Sequence, residues 1–270
     1  MSEANDSIEA RRRRLVGTVL TTGPPSECIE TTFSRRFGRH FHEPAFWDAF
    51  EDACRAVNEG KPWYQARQLL LSFSWPQEIN AKDEWGETML SLATTFGRAN
   101  VVNVLCQIKA DTRIENAKGW SVIHIAAAYN HVKILQVFLT LGISVDSPGS
   151  RLGYTPLHLA VAMDHIEAVQ CLHASGKVNF MRTAGNGYTA LHVAVEHNAE
   201  RCMAFLIQQY PDLKFQHDRV LDENPAHKAA RGLQPHSYKG LAKHGARIDL
   251  ENIEGSSAFD LAIDNDRYSY

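Results

Sequence analysis

The stretch Gly153-Tyr154-Thr155-Pro156-Leu157-His158-Leu159-Ala160 returns along this chain at a nearly fixed interval. Upstream it reads Gly119-Trp120-Ser121-Val122-Ile123-His124-Ile125-Ala126, and before that Gly86-Glu87-Thr88-Met89-Leu90-Ser91-Leu92-Ala93. Downstream it reads Gly187-Tyr188-Thr189-Ala190-Leu191-His192-Val193-Ala194. A degenerate copy starts at Asn224-Pro225-Ala226-His227, and a last one at Gly255-Ser256-Ser257-Ala258. The period is 33 to 35 residues. Self-similarity at that spacing means that each copy is one small unit, unable to bury its apolar face alone, which leans on its neighbours.

Each residue of the stretch has a physical job. Thr155 and Thr189 stand where a hydroxyl accepts a backbone N–H of a helix's first turn. Pro156 falls at the first helical position, where a missing N–H costs nothing. Leu157, Ala160 and Val161 recur at i, i+3, i+4 and form one buried face. The glycine before each cap supplies a turn with positive φ. A second apolar stripe follows in every copy: Val101, Val102, Leu105 and Cys106; then Val132, Ile134, Leu135, Phe138 and Leu139; then Ile166, Val169, Cys171 and Leu172; then Cys202, Phe205, Leu206 and Ile207. Stops follow at Leu141-Gly142, Ser175-Gly176, Tyr210-Pro211 and His244-Gly245. The segments 111–118, 145–152 and 178–186 are left as projecting hairpin loops, the last two longer than the common pattern.

The stretch resembles the ankyrin repeat, whose signature is T-P-L-H-x-A at a period near 33. The resemblance covers about residues 83 to 266. It implies an all-α fold: an ankyrin-repeat solenoid of stacked helix–turn–helix units with projecting hairpin loops. The chain then divides into a disordered Arg/Ser/Thr-rich tail (1–43), a divergent N-terminal repeat or cap (44–82), and repeats at 83–115, 116–149, 150–183 and 184–217. A degenerate repeat (218–252) and a C-terminal half-repeat cap (253–270) complete it.

Charge and composition exclude several classes. A net charge of −3 recommends neither nucleic acid nor an anionic membrane as partner. No apolar run is long enough for a membrane-spanning helix, and Met1 to Arg14 lacks the apolar core of a secretory signal. The expected residence is cytoplasmic, nuclear or both. Among the five cysteines, Cys106, Cys171 and Cys202 occupy second-helix apolar positions and read as small buried hydrophobes.

The thirteen histidines invite a metal or catalytic reading that the period defeats. His124, His158 and His192 hold one motif position in successive units, about 10 Å apart, whereas zinc gathers ligands about 2 Å from one centre. The resemblance implies instead that this histidine hydrogen-bonds loop backbone and the neighbouring repeat. No nucleophile elbow, metalloprotease helix motif, paired-cysteine motif or phosphate loop occurs. The expectation is no enzyme, no cofactor and no metal.

Binding residues are sought on the surface. The residue between Gly and the cap, and the residues closing the first helix, face the concave groove in such units. They are Trp120, Tyr154 and Tyr188 in the first row and Phe96, Tyr129 and Met163 in the second, with Trp85 beside Gly86. Aromatic residues and Met are enriched where partners dock, so these seven form the expected partner-binding strip; the alternative is that the Gly-x-Thr aromatics pack on the next finger. Arg11, Arg12, Arg13 and Arg14 form a candidate nuclear-localisation patch, or simply a solvated basic stretch.

The expected function is a non-catalytic adaptor that captures another protein on its concave groove, with no small-molecule substrate. The expected state is a monomer with weak self-association. Ser147 to Val161 also resembles a lengthened finger of the inhibitors of NF-κB, which implies a regulator of a transcription factor. A substrate adaptor for a larger complex and a pathogen effector that mimics host ankyrins stand beside it. A self-associating scaffold, stacking through an open terminal repeat, is the structural alternative.

Overall fold

A side-chain oxygen opens each first helix and fixes where the chain turns into it. In the computed structural model, which describes residues 79–80, 82, 86–149, 152–232 and 234–264, these helices are α1 (Met89–Thr95), α3 (Val122–Ala128), α5 (Pro156–Ala162), α7 (Ala190–Glu196), α9 (Pro225–Arg231) and α11 (Ala258–Asp264). A second helix follows each of the first five: α2 (Ala99–Gln107), α4 (Val132–Thr140), α6 (Ile166–Ala174), α8 (Glu200–Gln209) and α10 (Pro235–Lys243). The tail with Arg11 to Arg14, and the N-terminal cap apart from residues 79, 80 and 82, lie outside the described residues. Among those described, the only extended pairing is two isolated bridges, Gly149 with Tyr154 and Glu251 with Ser257.

The chain divides into two compact units, one ending at Ser144 and one beginning at Val145. In the N-terminal unit α1 packs on α2 and α3, and α2 and α3 both pack on α4. In the C-terminal unit α5 packs on α6 and α7, α7 on α8 and α9, and α9 on α10 and α11. First helices thus touch first helices and second touch second, which the two apolar stripes require. Leu135, Phe138, Leu191 and Leu206 are fully buried, and Ala126, Ala160 and Ala194 lie at the helix contacts with no exposed surface. A larger side chain there would hold the helices apart.

Neighbouring fingers of the C-terminal unit are tied by single backbone bonds. Gly185 N–H donates to Leu152 O at 2.9 Å, Arg219 N–H to Asn186 O at 3.0 Å, and Ile253 N–H to Leu221 O at 3.0 Å.

Several details depart from the sequence expectation. The degenerate repeat lacks the motif's Gly and Thr yet keeps the geometry: Asp222 takes the turn with φ 56°, and Asn224 caps α9 through bonds accepted from Ala226 N–H and His227 N–H. Asn and Asp tolerate this left-handed region better than other non-glycine residues. The chain does not simply stop at Tyr210-Pro211 but makes a 3-10 turn, Pro211–Phe215, that buries Leu213 against the core. Of the three second-helix cysteines, only Cys202 is buried; Cys106 and Cys171 are half-buried. Burial still pushes the Cys106 thiol up to about 11 and raises the other two, which keeps them protonated near neutral pH. At the end of the chain, α10 buries Tyr238 and Leu241, whereas Phe259 and Ile263 on α11 stay exposed.

Candidate functional site: helix ends and the capping imidazoles

The first-row aromatics are not where the sequence reading put them. Trp120, Tyr154 and Tyr188 are 8%, 4% and 7% exposed. The reason is local. A residue just before the cap lies beside the third helical residue, and that residue here is an imidazole. Tyr154 stacks on His158 with centroids 5.7 Å apart, and Tyr188 on His192 at 5.6 Å. Lys228 then covers the Tyr188 ring, its ammonium 4.5 Å from the centroid. Burial raises the hydroxyl pKa of both tyrosines. These rings brace the units from within.

The second row is more open. Phe96, which ends α1, is 49% exposed, and Tyr129 and Met163, which end α3 and α5, are half-buried. Tyr129 is stacked on His131 at 6.0 Å, and His131 Nε2 donates to Thr95 O at 3.1 Å. Phe96 and Tyr129 therefore share the N-terminal unit and stand on a rigid base. Trp85 lies outside the described residues.

Histidine does two jobs, of which the sequence reading found one. His158 Nδ1 accepts from the Thr155 backbone N–H at 3.3 Å and faces Thr155 Oγ1 at 2.8 Å. Its Nε2 reaches Tyr188 O in the next finger at 3.1 Å. His192 repeats this with Thr189 and Glu223 O, and His227 with Asn224 and Leu250 O. A backbone N–H can only donate and a carbonyl can only accept. For His158 and His192 they assign the neutral imidazole with its proton on Nε2, whereas His227 Nδ1 also faces the acceptor Asn224 Oδ1 at 2.9 Å. Desolvation by burial, the largest cause, pushes His158 and His192 down to about 4 and lowers His227. Each imidazole is thus half of a capping box and half of a strut to the next unit. Among the described residues, no group of His, Cys, Asp and Glu is arranged to hold a metal ion.

Two further positions carried no motif signal. Asp164 turns between α5 and α6 with φ 55°, and its carboxylate accepts from Cys202 N–H at 2.9 Å and Arg201 Nε at 3.3 Å, joining two repeats. Glu223 replaces the first-row tyrosine in the fifth repeat and has no exposed side-chain surface. It accepts from Arg231 Nε at 2.8 Å and from Asn252 Nδ2 at 3.3 Å, while Arg231 also pairs with Glu254 at 2.6 Å. The clasp fastens the last finger to α9. Reading it required knowing which residues of three segments meet.

Comparison with known proteins agrees with this architecture. A family model described as ankyrin repeats in three copies matches residues 53–149 and 146–217, more than half of the chain. The chain belongs to the ankyrin-repeat family. It is similar to Notch-regulated ankyrin repeat-containing protein B of Danio rerio, 36% identical over 91 residues, which are 34% of this chain and 79% of that protein. Human ankyrin repeat domain-containing protein 63 is 35% identical over 95 residues, 34% of this chain but 25% of that protein. Among solved structures, the ankyrin repeat domain of Bcl-3, a member of the IkappaB protein family, superposes with a TM-score of 0.60 at 25% identity, covering 66% of this chain and 81% of that one. The human ASB11 ankyrin repeat domain superposes at 0.61 with 22% identity over 82% of this chain and 91% of that one, a likeness of fold. Ankyrin repeats are in general protein-interaction modules and typically non-catalytic.

Proposed function

We propose that this chain is a non-catalytic adaptor that captures a protein partner through the helix-end row, with Phe96 and Tyr129 as its anchors in the N-terminal unit and Met163 at the equivalent place in the C-terminal unit. The observation that carries the reading is the contrast between the two aromatic rows: in the first, Tyr154 and Tyr188 are stacked on histidines and Trp120 is buried, whereas Phe96 keeps 49% of its surface in solvent. A large apolar side chain held open on a rigid turn is a low-entropy contact for a partner. Trp120, Tyr154 and Tyr188, being buried, take no direct part.

The test is a quantitative pull-down with Phe96→Ala combined with Tyr129→Ala. Truncating a true anchor lowers affinity by about 2 kcal/mol or more, roughly 30-fold per site, while circular dichroism shows the fold retained. Unchanged capture by a folded double variant refutes the assignment. A second reading, a transcription-factor regulator like the inhibitors of NF-κB, is favoured by the Bcl-3 likeness. Capture of a transcription factor as the binding partner would single it out. Cytoplasmic or nuclear residence fits either reading.

A further inference from the structure

Second helices end alike in the two units, but the space at their ends is filled in one and open in the other. In the C-terminal unit α6 and α8 pack on each other. His173 lies in the last turn of α6, three residues before Gly176, whose φ of 63° closes that helix. Phe180 follows four residues after Gly176, and Tyr210 caps α8. These three rings meet between the helix ends. Phe180 stacks on Tyr210 with centroids 4.2 Å apart and meets His173 edge-on at 5.8 Å. Tyr210 OH and His173 Nδ1 share a hydrogen bond of 2.7 Å. With 3% of its surface exposed, Phe180 is an aromatic plug supplied by the chain's own loop. At the next helix end, Lys214 of the 3-10 turn bridges to the carbonyl of His244, which caps α10.

In the N-terminal unit α2 and α4 pack on each other in the same way, and Lys109, with φ 69°, closes α2 as Gly176 closes α6. Counting from these two residues puts Cys106 in the place of His173 and Arg113 in the place of Phe180. Leu141, the cap of α4, stands for Tyr210. None of the three is aromatic. Arg113 does not act as a plug: its Nε and its backbone N–H both donate to Asp111 Oδ1, at 3.1 and 2.9 Å, and 86% of its side chain is exposed. What remains is an open cleft of about 430 Å³ whose walls include Cys106, Lys109, Ala110, Arg113, Leu141 and Ile143. An apolar cavity of about 150 Å³ already takes up benzene, so the cleft has room for a ring and the backbone that carries it.

We propose that this cleft binds an aromatic side chain of a partner protein, carried on a segment with acidic residues beside it, in the place that Phe180 fills in the C-terminal unit. The ring is specified by the molecule's own example: the same three positions, in the same helix-end geometry, close around an aromatic side chain. The walls suit one. Leu141 is 52% exposed and offers an apolar face, Cys106 is a small polarizable hydrophobe, and the planar Arg113 guanidinium can stack on a ring.

The acidic flank follows from charge. The cleft carries two cations, Lys109 and Arg113, against one carboxylate, Asp111. Asp111 is taken by Arg113, and Lys109 makes no ion pair among the described residues. A carboxylate next to the bound ring would meet that ammonium. The site lies at second-helix ends, whereas Phe96 and Tyr129 end first helices, so it stands or falls apart from the helix-end row.

The test titrates the full chain, labelled with nitrogen-15, with the peptide N-acetyl-Asp-Phe-Asp-amide and with the same peptide carrying Ala in place of Phe, and follows the backbone amide resonances. The Phe peptide should shift residues 106–113 and 141–143 saturably, with a Kd of about 1 mM or tighter. The Ala peptide should bind about 30-fold more weakly. Arg113→Phe should supply the plug from within, as Phe180 does, and abolish the shifts. Leu141→Ser, a change at an exposed position that keeps the comparison open should Arg113→Phe not fold, should weaken the Phe peptide about tenfold or more. Lys109→Glu should weaken it about fivefold at low salt. No saturable shift at these residues up to about 10 mM, equal affinity for the two peptides, or full affinity in Leu141→Ser overturns the site; full affinity in Lys109→Glu overturns the acidic flank. A dimer of the chain in size exclusion with light scattering, abolished by Leu141→Ser, would give the cleft to a second copy and overturn the assignment to a partner.

Discussion

Replacing Gly187 by alanine should destabilise the protein far more than the same change at Gly176, although both glycines lie in turns of the same unit with positive φ, 87° and 63°. The shared part of the cost is backbone strain. A left-handed conformation costs an L-residue about 1–2 kcal/mol, offset by roughly 0.4–1 kcal/mol of lost freedom in the unfolded chain. At Gly176 an added Cβ meets nothing within 4 Å, so the net cost there is about 1 kcal/mol. At Gly187 the Cβ would stand 2.5 Å from Arg219 N and 2.6 Å from Arg219 Cγ. The side chain can swing away; the backbone nitrogen cannot, because it donates to Asn186 O at 3.0 Å and ties two fingers together. Forcing the fingers apart adds about 1–3 kcal/mol of overpacking and about 1 kcal/mol for the broken bond. The expected total for Gly187→Ala is about 3–5 kcal/mol. Urea unfolding near neutral pH should show it as a lower midpoint at unchanged slope, with Gly142→Ala, also open within 4 Å, as a second control. If Gly187→Ala and Gly176→Ala fall within about 0.5 kcal/mol of each other, ordinary surface scatter, the close finger approach carries no energy and the argument fails.

Leu157→Ala, at 1% exposure in α5, should cost about 2–5 kcal/mol, against about 1 kcal/mol for Ala258→Gly in the terminal helix; denaturation that ranks the terminal change worse would contradict the repeat energetics. Asp164→Ala should cost about 1–2 kcal/mol, because it removes both the tolerance for φ 55° and the carboxylate that caps α8, and Asp164→Asn should recover most of it; equal losses in thermal melts would leave the cap without weight. Trp120→Ala should lower stability by about 3 kcal/mol or more as a buried aromatic truncation, while Phe96→Ala should stay within about 0.5 kcal/mol; melting curves in the opposite order would return Trp120 to the surface row.

Much of the fold is local and could be read from residues alone. Thr155, Pro156, Leu157 and Ala160 each act within one helical turn, so their spacing fixes where α5 starts and which side it buries. The repeat of that spacing shows that the same solution is used again, and the family match agrees that the unit is an ankyrin repeat. Even the degenerate repeat obeys the same local rules, since Asp222 and Asn224 reproduce the turn and cap of Gly187 and Thr189.

Which aromatic side chains meet solvent is another matter. The Gly-x-Thr ring and the helix-end ring look alike in sequence, both one position outside a buried stripe. Their fates separate only when neighbours arrive. Tyr188 is buried by His192 four residues on and by Lys228 from the next repeat, whereas Phe96 closes its helix with much of its ring uncovered. The charge state of His158 is decided the same way: its own repeat supplies the Thr155 N–H, but the carbonyl that fixes the tautomer belongs to Tyr188, 30 residues away. Helix, cap and period depend on residues within a turn of one another and are written in the chain; exposure, tautomer and the Glu223–Arg231–Glu254 clasp depend on residues that only the folded stack brings into contact.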